Sequence, residues 1–505
     1  MSLQFITGNS GNGKTKYLFN RIVKEAKANP RDNYLVIVPE QFTMQTQRQL
    51  VDLSENKAIM NIDVLSFKRL AYRVFDELGI TNLTVLEETG KNLVLRKLAA
   101  QEADKLGVIG RNLNRIGYIS EVKSLLSELV QYNISPEELG RYIASGRLSD
   151  TLSDKLKDVL VLYEAFEKFM QDKYITAEEI LNVLSNVAEE SAILRNSVIA
   201  FDEFTGFTPI QNQLIKKLFV ISKKIYVTLT IDCREDIFKS RGMQELFDMP
   251  KRTVKSLTEM AAFYGIEVEE PIILDKNYRL AENEELSFME QQLFRKRRSS
   301  FKKAPKHIHI DCLRDPKQEL TKIARRINEL VRNENLRYRD IAIVTGDVNI
   351  YAGYVREIFD KYNIPYFIDA TQEILFHPFI EFIRSIPDIA AQNFSADAVF
   401  RFLRCGFSEL LDSEIDVLEN YVLACGVRGK SAWDKKWVRL PKHKAGYDLE
   451  LLNQSREYIM ELLKPVYQVF SDKKSTVKDY VLAIYKLIVL LDIPDKLAKK
   501  EQALL

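Results

Sequence analysis

Near the amino terminus, Gly8-Asn9-Ser10-Gly11-Asn12-Gly13-Lys14-Thr15 fits the pattern G-x-x-x-x-G-K-[ST]. These residue types at this spacing can bind phosphate. The glycines allow backbone conformations that turn successive N–H groups inward, and a helix N-terminus behind them adds partial positive charge. The Lys14 ammonium can then reach the β and γ phosphates of a nucleotide, Thr15 can give a hydroxyl to Mg2+, and Lys16 completes the candidate set. A plain Gly-rich turn capping a helix has the same composition, so the flanking strand and helix decide between the readings. A phosphate loop also needs a carboxylate at the end of a neighbouring strand to hold the metal. Asp202 and Glu203 follow the apolar run SVIAF, residues 197–201, and supply it. Asp202 is the expected Mg2+ ligand, directly or through water, and Glu203 the group that orients or deprotonates an attacking water. An acidic strand end that caps the next helix is the alternative.

Strands must carry both motifs. Leu3 to Thr7 is a short apolar run, and the residues after Gly13 recur at helical spacing through Tyr17, Leu18, Ile22 and Ala26. Residues 33–39 and 61–65 predict further strands, each followed by a helical pattern (43–53 and 67–78), and residues 197–201, 224–231 and 266–269 predict three more. Strands alternating with helices imply a parallel sheet wrapped by helices. Between residues 84 and 190 the strand signal vanishes, which predicts an all-helical insertion. A second α/β pattern has strands at 307–312, 340–345 and 366–369 and helices at 318–333 and 352–362. From His377 the chain is helical to an end without a terminating signal, which predicts a stop inside a domain. The fold class is α/β, and the segmentation is 1–83 with 191–275, 84–190, 276–375 and 376–505.

The 505 residues leave room for several domains, and 46% hydrophobic with 29% charged content describes a helix-rich globular protein. Lys plus Arg number 73 against 71 for Asp plus Glu. A net charge of +2 confines any polyanion site to a local patch. The cysteines Cys233, Cys312, Cys405 and Cys425 and the four histidines are scattered, which predicts neither a metal cluster nor a disulfide framework. Without a signal-like leader or a long apolar run, the expectation is a soluble cytoplasmic protein with no membrane partner.

The stretch from Asp202 to Gln211, DEFTGFTPIQ, resembles the DEFQDTxxxQ motif of UvrD-like superfamily 1 helicases. Residues 173–184, KYITAEEILNVL, resemble the helix that precedes it, and LDKNYR at 274–279 their LxxNYR motif. MSLQFITGNSGNGKT, VPEQFTMQTQRQL, VLSFKRLAYRV, HPFIEFIRSI and LENYVLACGVRGKSAW are similar, in the same order, to segments of the AddB subunits of AddAB-type bacterial helicase-nucleases. The resemblance implies two RecA-like P-loop lobes with all-helical insertions, ATP and Mg2+ as ligands, DNA as substrate, an AddA-type motor partner, and a role in double-strand break repair and recombination with recognition of Chi sequences. It also implies a nuclease domain with an iron-sulfur cluster in a carboxyl-terminal region that this chain is expected to lack. Carried over by motif, Tyr278 would stack near the nucleotide base and Arg279 would reach the γ phosphate; the alternative is a Tyr and Arg in a hinge.

The sequence departs from the active helicases where hydrolysis is linked to DNA. Thr205 and Gly206 stand where those have Gln and Asp, and residues 229–234, LTIDCR, replace GDxxQSIY. Little motor activity alone is therefore expected; an active DNA-dependent ATPase and a P-loop regulatory module without a DNA role are the alternatives. In the family, DNA contacts follow the second and third strands, here Gln41, Phe67 and Lys68. Phe67 suits base stacking or a core anchor. The basic run 295–303 suits a phosphate grip or a solvated linker. Trp433 and Trp437, beside Lys435, Lys436 and Arg439, suit a nucleic-acid surface or one buried helix face.

Overall fold

The computed structural model describes residues 1–81, 84–108, 110, 117–146, 148–171, 174–295, 299–370, 374–441 and 446–504. They form two units, Met1–Ile310 and Asp311–Leu505. In the first, β1 (Ser2–Gly8), α1 (Lys14–Ala28), β2 (Tyr34–Ile37), α2 (Thr43–Leu53), β3 (Ile62–Leu65) and α3 (Phe67–Leu78) follow the expected alternation. An insertion then runs through β4 (Val85–Leu86), α4 (Glu88–Gln101), α5 (Tyr118–Gln131), α6 (Pro136–Ala144), α7 (Asp150–Met170) and β5 (Ile175–Thr176). The α/β pattern resumes with α8 (Ile180–Val187), β6 (Val198–Phe201), α9 (Pro209–Ile221), β7 (Lys224–Thr230), α10 (Asp248–Phe263), β8 (Glu267–Val268), β9 (Ile272–Leu274) and α11 (Glu284–Gln292).

Every pairing in the main sheet is parallel, in the order β3-β2-β6-β7-β1, with β8 and β9 both on the outer side of β1. Both faces are buried, and the period-2 alternation of side chains divides each strand between two cores. Phe5, Leu35, Ile37, Ile199, Phe201 and Val227 face a layer that includes α3, α8, α9 and α10. Ile6, Tyr34, Val36, Ala200 and Tyr226 face Leu18, Phe19 and Ile22 of α1 and Leu50 of α2. The strands themselves therefore read as continuous apolar runs, which makes them visible in the sequence.

Two short strands interrupt the region expected to be wholly helical. β4 and β5 pair in parallel, Val85 with Ile175 and Leu86 with Thr176, and bring together the two ends of the insertion. Lys91, almost fully buried, ties them further through ion pairs to Glu178 at 2.6 Å and Glu88 at 2.9 Å. Two residues per strand are too few to show a strand period. The insertion has its own core, from Leu95 to Met170, whereas Ile180 and Leu184 of α8 lie in the core of the sheet.

The second unit comprises α12 (Pro316–Asn333), α13 (Val348–Lys361), α14 (Pro378–Ala391), α15 (Ala396–Leu403), α16 (Asp412–Cys425), α17 (Lys430–Trp433), α18 (Leu449–Ser471), α19 (Val477–Leu490) and α20 (Ile493–Leu504). α12 and α13 stand where the sequence pattern predicts helices and share a core of Leu320, Ala324, Ile327, Ile358, Phe359 and Ile364. The three strands expected at 307–312, 340–345 and 366–369 do not form, and Ile310, Val344 and Phe367 are 94%, 93% and 89% exposed. Three short parallel strands covered by two helices on one face would leave the other face in water, and such sheets gain too little burial to stand.

Trp433 and Trp437 belong to the core of the helical part of this unit, packed against each other and, for Trp437, stacked on Tyr421. They are buried anchors, and the nucleic-acid reading of the two rings is corrected accordingly. No helix among the described residues is long and apolar enough to cross a membrane.

Candidate nucleotide site

The strand before the loop is β1 and the helix after it is α1, so residues 8–15 lie at the carboxyl end of a sheet strand, where open α/β sheets bind ligands. One strand, β7, stands between β1 and β6, and the loop after β1 opens beside Asp202 at the end of β6. Gly8 admits no side chain, because a Cβ there would lie 2.6 Å from the Leu274 carbonyl oxygen. Gly11 and Gly13 have φ of 90° and 79°, a left-handed backbone that only glycine adopts without strain.

The Lys14 ammonium lies across the loop and donates to the carbonyls of Gly8 and Asn9, both at 3.1 Å. Burial lowers its pKa against the opposing pull of Glu203 and Asp202, and the nearby Arg279 lowers it further. Thr15 Oγ1 donates to Asp202 Oδ1 at 3.3 Å and stands 3.4 Å from Glu203 Oε1. Glu203 has φ of 64°, a strained conformation for a residue with a Cβ, which turns the chain directly after the buried Asp202 and leaves the Glu203 carboxylate exposed.

Asp202 is buried, with Thr228 Oγ1 donating to its Oδ1, while its Oδ2 is buried without a hydrogen-bond partner. Burial raises its pKa, with the Glu203 charge adding to the rise and the Thr228 and Thr15 hydroxyls opposing it. An orphaned carboxylate oxygen beside a threonine hydroxyl is a hard, all-oxygen donor set, which fits Mg2+. Since the folded-state pKa lies above the unfolded value, ionising Asp202 costs stability as pH rises from the unfolded pKa through the folded one. Asp202→Asn is therefore expected to stabilise the metal-free protein at neutral pH by about 1–3 kcal/mol, the penalty of an unsatisfied buried polar group. The gain should shrink in acid, and Mg2+ with nucleotide should no longer raise the melting temperature of the variant. Thermal melts between pH 4 and 8, with and without Mg2+ and nucleotide, measure both effects.

β9 pairs with β1 and leads the chain over the loop. Asn277 Nδ2 donates to Ser10 O at 3.0 Å, Tyr278 N to Gly11 O at 3.0 Å, and Arg279 Nη1 meets Ser10 Oγ at 3.5 Å. Tyr278 and Arg279 are thus brought to the loop and remain exposed at its rim. Sequence reasoning missed Asn277, whose amide fastens this strap while its Oδ1 accepts from Leu280 N at 3.0 Å.

A second missed group lies at the end of β7. Asn9 accepts from Cys233 N at 2.9 Å and donates to Glu290 at 2.8 Å. Asp232 is buried; burial alone would raise its pKa, but hydrogen bonds from Arg234 and Arg295 hold it well below the carboxylate range. Arg295 Nε lies 3.0 Å from Asp232, and its guanidinium sits 4.8 Å from the centre of the Phe247 ring. Arg295 is consequently a buried ion-pair partner and not part of a solvated linker; residues 296–298 of that run lie outside the described residues. The sequence signal was available in the carboxylate of the LTIDCR segment, but its partner is 63 positions away.

The DNA-contact candidates separate. Gln41 and Lys68 are exposed at the turns after β2 and β3, which Glu40 links by accepting from Ser66 Oγ and, at 3.0 Å, from Arg69. Phe67 is not available for base stacking: it is 7% exposed and packs against Phe201, Phe204 and Phe207. The first position of an amphipathic helix capped by Ser66 points it inward, where its ring has three aromatic partners. Gln211 of DEFTGFTPIQ closes a capping box with Thr208 at the start of α9. Among the described residues no cluster of three or more His, Cys, Asp or Glu could hold a metal, and all four cysteines are free. They do not fit an iron-sulfur cluster.

Residues 5–290 match the family model of the AddB N-terminal region. The chain is 38% identical over 504 residues to the AddB subunit of the ATP-dependent helicase/deoxyribonuclease of Lachnoclostridium phytofermentans, an alignment covering 98% of this chain and 44% of that protein. It is 32% identical over 513 residues to the protein of the same name from Clostridium tetani, with the same coverage. The corresponding protein of Caldanaerobacter subterraneus subsp. tengcongensis is 33% identical over 511 residues, covering 99% of this chain and 44% of the relative. The chain thus spans less than half the length of these curated relatives.

Proposed function

The chain belongs to the AddB family, and from that premise we propose that it is the ATP-binding, DNA-binding, helicase-like part of an AddB subunit of a helicase-nuclease. It works beside an AddA-type motor protein in double-strand break repair and recombination, with Chi recognition as its family role and the cytoplasm as its place. One observation carries the nucleotide part of the reading: Lys14, Thr15, Asp202 and Glu203 converge at one end of the sheet under a strap bearing Tyr278 and Arg279.

In this reading the loop amides and Lys14 bind the β and γ phosphates, while Asp202 and Thr15 hold Mg2+, which supplies charge neutralisation on the phosphate oxygens. Glu203 accepts a proton from the attacking water, and Arg279 stabilises charge on the transferred phosphoryl group. Turnover by this chain alone is low, because nothing equivalent to the helicase Gln and Asp stands at Thr205 and Gly206 to pass a DNA signal to the site. Thr205 is exposed, and only its carbonyl is engaged, by Thr253 Oγ1 at 3.1 Å. A second reading, an active DNA-dependent ATPase, is favoured by the presence of both Glu203 and Arg279 at the site.

Fluorescent-nucleotide binding and ATP hydrolysis, each with and without single-stranded DNA, separate the two. Binding without DNA-stimulated turnover is the expected result. Turnover that rises with DNA and vanishes in Lys14→Ala would transfer the conclusion to the second reading, and absence of nucleotide binding would overturn both.

A further inference from the structure

Between α17 and α18 the chain forms no helix or strand among the described residues, yet its backbone is clamped from beneath. Asn453 of α18 takes both backbone groups of Trp437, accepting from its N–H at 2.8 Å and donating to its carbonyl at 2.9 Å, as a neighbouring strand would. Arg456, 5% exposed, donates to the Trp433 carbonyl at 2.9 Å and lies 3.4 Å from that of Asp434. Tyr421 Oη donates to the Arg439 carbonyl at 2.7 Å. With Trp433 and Trp437 sunk into the core, the residues between and after them are turned outward: Lys435, Lys436, Val438, Arg439 and Leu440 are all exposed.

The outward face has one sign of charge. Asp434 is engaged by Lys430 at 2.6 Å, and the sequence then holds no acidic residue until Asp448. Among the described residues no carboxylate pairs with Lys435, Lys436 or Arg439. A solvated charge run needs no such clamp, and burying the Arg456 guanidinium to hold a loop carries a desolvation cost. A rigid single-sign surface instead keeps its cations positioned before a polyanion arrives, so less ordering is lost on binding.

From this arrangement we infer that the tryptophan-anchored loop 434–440 is a phosphate-contacting surface for nucleic acid, with Lys435, Lys436 and Arg439 on backbone phosphates. Val438 and Leu440, 78% and 53% exposed, give the same surface apolar contact with sugar and base faces. The inference rests on the proposed DNA role and adds a place for it in the second unit, remote in sequence from the turns after β2 and β3.

The test compares the full chain with the triple variant Lys435→Ala/Lys436→Ala/Arg439→Ala, titrated with a fluorescent oligonucleotide, single-stranded and duplex, across a salt series. Losing three phosphate contacts should reduce the slope of log K against log salt by about 2–3 and weaken binding on the order of 100-fold at 0.1 M salt. The chain has two tryptophans, both at this loop, so an unchanged intrinsic emission maximum certifies that the variant keeps its local fold. Wild-type binding with the same slope and affinity in the variant would overturn the assignment while leaving the DNA role standing. Absence of DNA binding by the wild type, with binding to anionic phospholipid vesicles or an acidic peptide in its place, would overturn both.

Discussion

Lys14→Ala is expected to weaken binding of ATP, or of a fluorescent analogue, by at least about 100-fold while leaving the melting temperature of the nucleotide-free protein nearly unchanged. Each charge-assisted hydrogen bond from the ammonium to a phosphate oxygen is worth about 1.5–3 kcal/mol, so two of them give about 3–6 kcal/mol. In the free protein the same ammonium is held by the carbonyls of Gly8 and Asn9, and its charged form is disfavoured by burial. Removing it therefore relieves desolvation as well as removing two hydrogen bonds, and the two effects oppose. Arg279 is the nearest other cation, but it sits at the rim on Ser10 and its position is set by the strap. Equilibrium titration and thermal melts on the same samples decide the matter. Retained nucleotide affinity would remove the phosphate site from this loop, and a large loss of stability would make Lys14 a structural residue.

Phe67→Ala is expected to destabilise the first unit by about 3–5 kcal/mol, the range for truncating a buried aromatic ring. Phe67 lies 5.8 Å from Phe201, 5.6 Å from Phe204 and 6.4 Å from Phe207 by ring centroids. Phe201 ends the strand that delivers Asp202, and Phe204 follows Glu203, so the cavity opens directly behind the acidic pair. Two consequences are measurable. Urea unfolding should show the stability loss, and Mg2+-dependent nucleotide binding should weaken even though Phe67 touches neither ligand. A base-stacking role makes the opposite prediction: a selective fall in DNA affinity at unchanged stability. Phe67→Leu keeps most of the buried volume and should restore much of the stability but none of any stacking contribution.

The cluster also shows where sequence reasoning stops. An aromatic at the start of a helix after a strand is compatible with a DNA-facing ring and with a core anchor, because local pattern does not say which way the ring points. The answer depends on Phe201, Phe204 and Phe207, more than 130 positions away. The same limit explains Trp433 and Trp437, whose i, i+4 spacing fits a buried face and a basic surface equally well, and Arg295, whose basic neighbours disguise a buried partner of Asp232. The three strands expected around α12 and α13 fail for a different reason. Their composition suits strands, but a strand is stable only with pairing partners and cover on its faces.

The phosphate loop, its flanking strand and helix, and the acid pair that answers it are all legible in the chain as written, because these are local patterns with strict chemistry: glycines for positive φ, apolar runs for strands buried on both faces, and carboxylates directly after one of them. The helices of the α/β layers and the extent of the insertion are legible for the same reason. The order of the strands, the strap of Asn277, Tyr278 and Arg279 over the loop, the Asp232–Arg295 pair, and the division between buried rings and exposed cations at residues 433–440 emerge only on folding. Those features are made by contacts between residues tens to hundreds of positions apart, and their free energy comes from burial and pairing, which no local pattern encodes.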